Sequence, residues 1–123
     1  MARFRYLVDD VDAAVDFYTT NFGFTVQIQA GSAFASVIRD DLELLLSGPE
    51  SSAGRPMADG ARPGPGGWNR AELVVDDVAA EVARLADAGI KPRNDIVTGP
   101  GGSQVLFTDP AGNLIELFQP AGT

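Results

Sequence analysis

The sequence predicts an α+β protein built from two copies of one strand-helix-strand-strand-strand module. Val8-Asp9-Asp10-Val11 recurs as Val75-Asp76-Asp77-Val78, each copy opens an alanine-rich pattern of helical period, and the alternating segments that follow come in the same order in both halves. A duplicated module places a ligand site between its copies. The predicted boundaries are about 2–48 for the first module, 49–67 for a connecting loop and about 68–119 for the second, all within one domain.

Residues 3–8 alternate, which puts Phe4, Tyr6 and Val8 on one strand face and Arg3, Arg5 and Leu7 on the other. Asp9 or Asp10 then caps a helix. Its apolar positions Val11, Ala14, Val15, Tyr18 and Phe22 recur at helical spacing, and Gly23 suits a left-handed stop. Phe24 to Ile28 alternates again, Ala33 to Ile38 is a strand of small residues, and Asp40-Asp41 turns tightly into a strand from Leu42 to Leu46. In the second half the strand runs from Arg70 to Val75. A helix follows on Val78, Val82 and Leu85, with Asp76 or Asp77 as its cap and Gly89 as its stop. Strands are then expected at Ile90 to Ile96, Gln104 to Thr108 and Leu114 to Phe118. Gly48 to Gly67 is rich in Pro, Gly and Ser and lacks periodicity. A connection of that length is either functional or a mobile linker, and it makes exchange of modules between two chains feasible.

A chain of 123 residues with 45% apolar content can build a real core. No apolar run approaches a membrane span, and Met1 to Arg5 leads directly into alternation without a signal-peptide core, so a cytoplasmic location is expected. The net charge of -8 argues against nucleic acid and anionic membranes, which require a basic footprint. There is no histidine and no cysteine, which removes the commonest metal ligands and the commonest acid-base group.

Val8 to Tyr18, followed by Asn21-Phe22-Gly23-Phe24, resembles the opening of the vicinal oxygen chelate superfamily, and Asp109-Pro110-Ala111-Gly112-Asn113-Leu114-Ile115-Glu116-Leu117 resembles its closing hairpin. Glyoxalase I, extradiol dioxygenases, fosfomycin-resistance enzymes and bleomycin-resistance proteins belong to it. The resemblance implies two βαβββ modules forming a curled mixed sheet around a cleft, helices outside, often completed by a homodimer. It also implies metal-ligand positions on the first and last strands of the modules. The two first-strand histidine positions correspond to Arg3 and Arg70, the final carboxylate to Glu116, and a further acidic ligand of some branches to Glu43 or Leu45. Arginine stays protonated and offers no lone pair, so no tightly bound catalytic metal and no other cofactor is expected.

Arg3 and Arg70 could pair with Glu43 and Glu116 as an ion-pair network, or one arginine could grip a carboxylate, phosphate or carbonyl of a ligand. Glu116 is the candidate catalytic residue, a general base if desolvated beside Leu106 and Phe118. Trp68 either stacks on a planar ligand or anchors the loop over the core. The full expected cleft comprises Arg3, Arg5, Glu43, Leu45, Trp68, Arg70, Glu72, Gln104, Leu106, Glu116 and Phe118. The glycine-proline runs at 64–67 and 99–102 lack the lysine and hydroxyl of a phosphate loop and are expected to be turns. The expected function is metal-independent binding of a small molecule, an antibiotic or metabolite, by a homodimer. The alternative is a glyoxalase-like lyase, isomerase or dioxygenase with an atypical site using Glu116.

Overall fold

A computed structural model of the chain describes residues 1–122. It divides into two compact units, one comprising Met1–Gly67 with the turn Asp109–Asn113, the other Trp68–Thr108 with the strand from Leu114 onward. Each unit carries a helix and a four-stranded mixed sheet. Among the described residues, no helix is long and apolar enough to cross a membrane.

In the first unit, β1 (Ala2–Leu7) is followed by α1 (Val11–Asn21), β2 (Thr25–Ala30), β3 (Phe34–Arg39) and β4 (Leu42–Ser47), with spatial order β1-β4-β3-β2. β1 and β4 are parallel and the other pairs antiparallel. Asp10 is the helix cap, its Oδ1 accepting the Ala13 N–H at 3.0 Å, and Gly23 supplies the left-handed residue after the helix at φ 75°. Between β3 and β4, Asp40 itself adopts φ 52°, which a short side chain that bonds locally tolerates. β2 does not keep the simple alternation read from sequence. A register shift between Val26 and Ile28 pairs Val26 with Val37 but Ile28 with Ser36, so the two point to opposite faces.

The core of this unit is organised around Tyr18. Its ring stacks on Tyr6 at 5.9 Å, meets Phe17 and Phe24 edge-on at 5.1 and 5.7 Å, and is fully buried. Tyr6, Leu44, Leu46, Ala35 and Val37 form the sheet face beneath the helix. A buried hydroxyl requires a partner, and Tyr18 Oη donates to Asp109 Oδ2 at 2.9 Å. Asp109 is itself buried and also accepts the backbone N–H groups of Ala111 and Asn113 and the Asn113 side chain. Asn113 Nδ2 further donates to Leu7 O at 2.7 Å. Burial, and then the neighbouring Asp109 carboxyl, push the Tyr18 phenol far above its ordinary value, so it remains a donor at every accessible pH.

The second unit repeats the plan with β5 (Ala71–Val74), α2 (Val78–Asp87), β6 (Val97–Gly99), β7 (Gly102–Thr108) and β8 (Leu114–Pro120), ordered β5-β8-β7-β6 with β5 and β8 parallel. Asp77 caps α2 through the Ala80 N–H, Gln119 Oε1 accepts the Val78 N–H, and Gly89 follows the helix at φ 81°. Leu85 is the fully buried anchor of α2, over Ile115, Leu117, Val105 and Phe107. The run 99–102 is the β6–β7 turn. Gly102 has φ 148°, and a Cβ there would collide with Gln119 O, so only glycine fits.

The expected strand from Ile90 to Ile96 is not formed, and β6 begins only at Val97. Pro92 has no N–H for a ladder, and Asn94 replaces backbone with side chain: Arg93 N–H donates to Leu106 O at 2.7 Å while Leu106 N–H donates to Asn94 Oδ1 at 2.9 Å. The segment thus covers β7 without pairing as a strand.

Substituting Tyr18→Phe leaves Asp109 Oδ2 with the Asn113 amide alone. Urea unfolding should show a loss of about 1–3 kcal/mol with an unchanged m-value; a variant as stable as the parent would remove this hydrogen bond from the account.

Candidate functional site

The alternation that buries one face of each sheet under its helix turns a second set of side chains to the opposite face. On the first sheet that face carries Arg3 and Arg5 from β1 and, directly opposite them in parallel register, Glu43 and Leu45 from β4. Arg3 Nε lies 3.3 Å from Glu43 Oε1, with side chains 59% and 13% exposed, a geometry that contributes little to stability. Arg5 Nη1 donates to Ser47 Oγ at 2.9 Å. Leu45 is buried, and the residue opposite it on β3 is Ser36, a buried serine whose Oγ has no hydrogen-bond partner.

The second unit holds the other seven expected residues, Trp68 and Arg70 in the segment leading into β5 and the other five on β5, β7 and β8. Arg70 donates from Nε and Nη2 to Glu116 Oε1 at 3.0 and 2.8 Å, and from Nη1 to Trp68 O at 3.1 Å. Glu116 is buried, opposite Glu72 on β5 and Leu106 on β7. The next row across the sheet is Val74, Phe118, Gln104 and Val97, in which Val74 and Val97 are 60% and 51% exposed and Phe118 is half-buried. Trp68 is 65% exposed and so is not an anchor over the core; the Arg93 guanidinium sits 5.0 Å from its ring centre. An acidic row held by one arginine therefore borders a largely apolar row, with the exposed Trp68 ring and its Arg93 guanidinium in the same unit. Such a face suits an organic ring bearing hydrogen-bond donors.

Glu72 lies directly opposite Glu116 in the β5–β8 ladder, where a side-chain hydrogen bond to Glu116 favours the neutral form of Glu72. That bond, then burial, then repulsion by Glu116 raise Glu72 above its ordinary 4.5, against the pull of Arg70.

The register also resolves which residue of β4 corresponds to Glu116. Arg5 precedes the first Val-Asp-Asp-Val by three positions, as Glu72 precedes the second, and Arg5 pairs with Leu45 where Glu72 pairs with Glu116. Leu45, not Glu43, is the counterpart. The four equivalent positions in the two modules are thus Arg3, Leu45, Arg70 and Glu116, of which only Glu116 carries a group able to ligate a metal, and its Oε1 is engaged by Arg70. Among the described residues, no group of three or more His, Cys, Asp or Glu is placed to hold a metal ion. These residues do not fit the metal centre of the metal-dependent branches. Sequence reading missed Ser36 and Arg93; an isolated serine amid apolar β3 gives no signal, but Pro92 and Asn94 inside an expected strand would have flagged the second.

The raised Glu72 gives a pH prediction. Between its ordinary 4.5 and its higher folded value the folded state holds more protons than the unfolded state, so this pair's contribution is fully present below 4.5 and is lost as pH rises through the folded value. Glu72→Gln should therefore melt higher than the parent at neutral pH, the gap closing as pH falls towards 4.5; parallel melting curves across pH would contradict it.

The family model described as glyoxalase/bleomycin resistance protein/dioxygenase superfamily matches residues 1–117. No curated protein sequence gives a significant match. Among solved structures, the chain is similar to TnmS3, an antibiotic binding protein from Streptomyces sp. CB03234, with 31% identity and a TM-score of 0.75 over 98% of this chain and 95% of that one. It is similar to lactoylglutathione lyase from Agrobacterium tumefaciens, with 27% identity and a TM-score of 0.76 over 97% and 92% of the two chains. TioX from Micromonospora sp. ML1, 22% identical with a TM-score of 0.75 over 98% of each chain, shares the fold. With the family model matched almost end to end, the chain belongs to the glyoxalase/bleomycin resistance protein/dioxygenase superfamily.

Proposed function

We propose that this protein binds a small organic molecule, an antibiotic or metabolite, without a metal and without turning it over. The observation that carries this reading is the occupancy of the superfamily's ligand positions by Arg3, Leu45, Arg70 and Glu116, with Glu116 committed to Arg70. At these positions this chain has the Arg70–Glu116 ion pair, with Glu72 directly opposite Glu116. Likeness to an antibiotic binding protein supports the same reading. The ligand is a planar or aromatic body lying on Phe118, Val74 and Val97, with a hydrogen-bond donor directed at Glu72 and Glu116, and Trp68 as a stacking surface. Val26 and Ile28, exposed on the edge strand β2, favour self-association, and we assign the working form to a cytoplasmic homodimer.

A second reading has one observation in its favour. Glu72, raised above its ordinary range beside the Arg70–Glu116 pair, marks a setting that could serve acid-base chemistry, with Glu116 taking and returning a substrate proton while Arg70 stabilises the enolate, as a metal-free lyase or isomerase would require. Likeness to a lactoylglutathione lyase lends it support.

A thermal-shift screen of aromatic antibiotics and small organic acids separates these readings from a purely structural role. A specific ligand at a hundredfold excess over its Kd adds about 2.7 kcal/mol. The binder reading expects such a shift, diminished by Phe118→Ala, with the compound recovered unchanged. Conversion of the compound that is abolished by Glu116→Gln while binding persists would overturn it in favour of the enzyme.

A further inference from the structure

The Pro- and Gly-rich connection between the modules is a built structure. Ser51 is buried, and its N–H and Oγ both donate to Gly48 O, at 3.1 and 2.6 Å. The Gly54 N–H donates to Ser51 O at 3.1 Å, and a Cβ on Gly54 would meet Gly48 O at 2.5 Å, so the chain closes there only because the residue is glycine. Further along, Met57 N–H donates to Ala61 O at 2.7 Å and Gly66 N–H to Asn113 Oδ1 at 2.8 Å. A linker would have none of these ties.

Held in this way, the segment folds over the C-terminal ends of the parallel strands β1 and β4 and encloses a cavity of about 240 Å³. Leu7, Val8 and four prolines of the loop give it apolar walls. Two charged residues also line it, Asp9 and Arg62, both exposed and therefore at its mouth. Neither has an ion-pair partner among the described residues, and they are not paired with each other. Asp10, not Asp9, caps α1, so the first acidic residue of the duplicated motif is not engaged as the helix cap.

The volume falls below the roughly 300–1,000 Å³ of pockets for drug-sized ligands, which limits the occupant to a metabolite of modest size. A lone anion would be drawn to Arg62 but repelled by Asp9, and a lone cation the reverse; opposite charges at one mouth select a molecule that carries both. We propose that this cavity, at the C-terminal end of the sheet face that carries Arg3 and Arg5, is a second binding site for an α-amino acid with an apolar side chain: the ammonium at Asp9, the carboxylate at Arg62 and the side chain against the prolines. It does not depend on what the sheet faces bind.

The test is a ¹H–¹⁵N NMR titration of the full chain with L-leucine. The amides of Gly48, Gly54 and Gly64 should shift saturably at millimolar leucine. Isopentylamine and 4-methylpentanoate, which each lack one of the charges, should bind at least about tenfold more weakly, and Arg62→Gln and Asp9→Asn should each weaken leucine binding by a similar factor, as expected for loss of one charge-assisted contact. Both substitutions are at exposed positions outside the sheet faces. Absence of shifts at these glycines with leucine, valine, methionine and phenylalanine, shifts confined to the sheet faces, equal binding of the single-charge analogues, or unchanged binding by both variants would each overturn the proposal.

Discussion

Parallel pairing of the first and last strand of each module is the constraint from which the rest follows. β1 on β4 and β5 on β8 bring the ends of each module together, so alternation along one strand is matched residue for residue along its neighbour. One face becomes continuous apolar surface: Tyr6 beside Leu46, Leu73 beside Leu117. The helix covers that face because its connection is short and its cap is fixed by the second aspartate of the motif. The opposite face inherits whatever the sequence places at the intervening positions, here arginines and glutamates in register.

The largest buried polar network of the first unit is held together by its own members. Tyr18 lies at the centre of the aromatic cluster of the first unit, and its hydroxyl reaches an Asp109 that also organises the Asp109–Asn113 turn. The turn is thus fixed by backbone and side-chain bonds converging on one buried carboxyl, while Asn113 extends the network to Leu7 O and the Gly66 N–H. This explains why Asp-Pro-Ala-Gly-Asn reads as a unit: Gly112 supplies φ 96°, and Asp109 and Asn113 supply the bonds.

Both helices and most strands were legible because local chemistry determined them. Each Asp-Asp-Val start encodes its own cap, and Gly23 and Gly89 terminate where a left-handed residue is needed. Four features were not legible. The alternation of Phe24 to Ile28 concealed a bulge that only pairing with β3 produces. The apolar ends of Ile90 to Ile96 suggested a strand, although Pro92 and Asn94 diverted its backbone bonds. The register of β4 against β1 is set between strands nearly forty residues apart, so local spacing left Glu43 and Leu45 as alternatives until the parallel ladder showed Arg5 opposite Leu45. The loop from Gly48 to Gly67 has no period from which its ties could be read.

The metal-dependent branches of the superfamily place metal ligands at four equivalent positions, and this chain retains the scaffold with one ligating side chain among those four. A single carboxylate already hydrogen-bonded to a guanidinium lacks the further oxygen or nitrogen donors that would hold a divalent ion. Elemental analysis of protein purified without chelator tests this account most directly. It predicts divalent metal far below one equivalent per chain; a stoichiometric metal ion retained through gel filtration would contradict it.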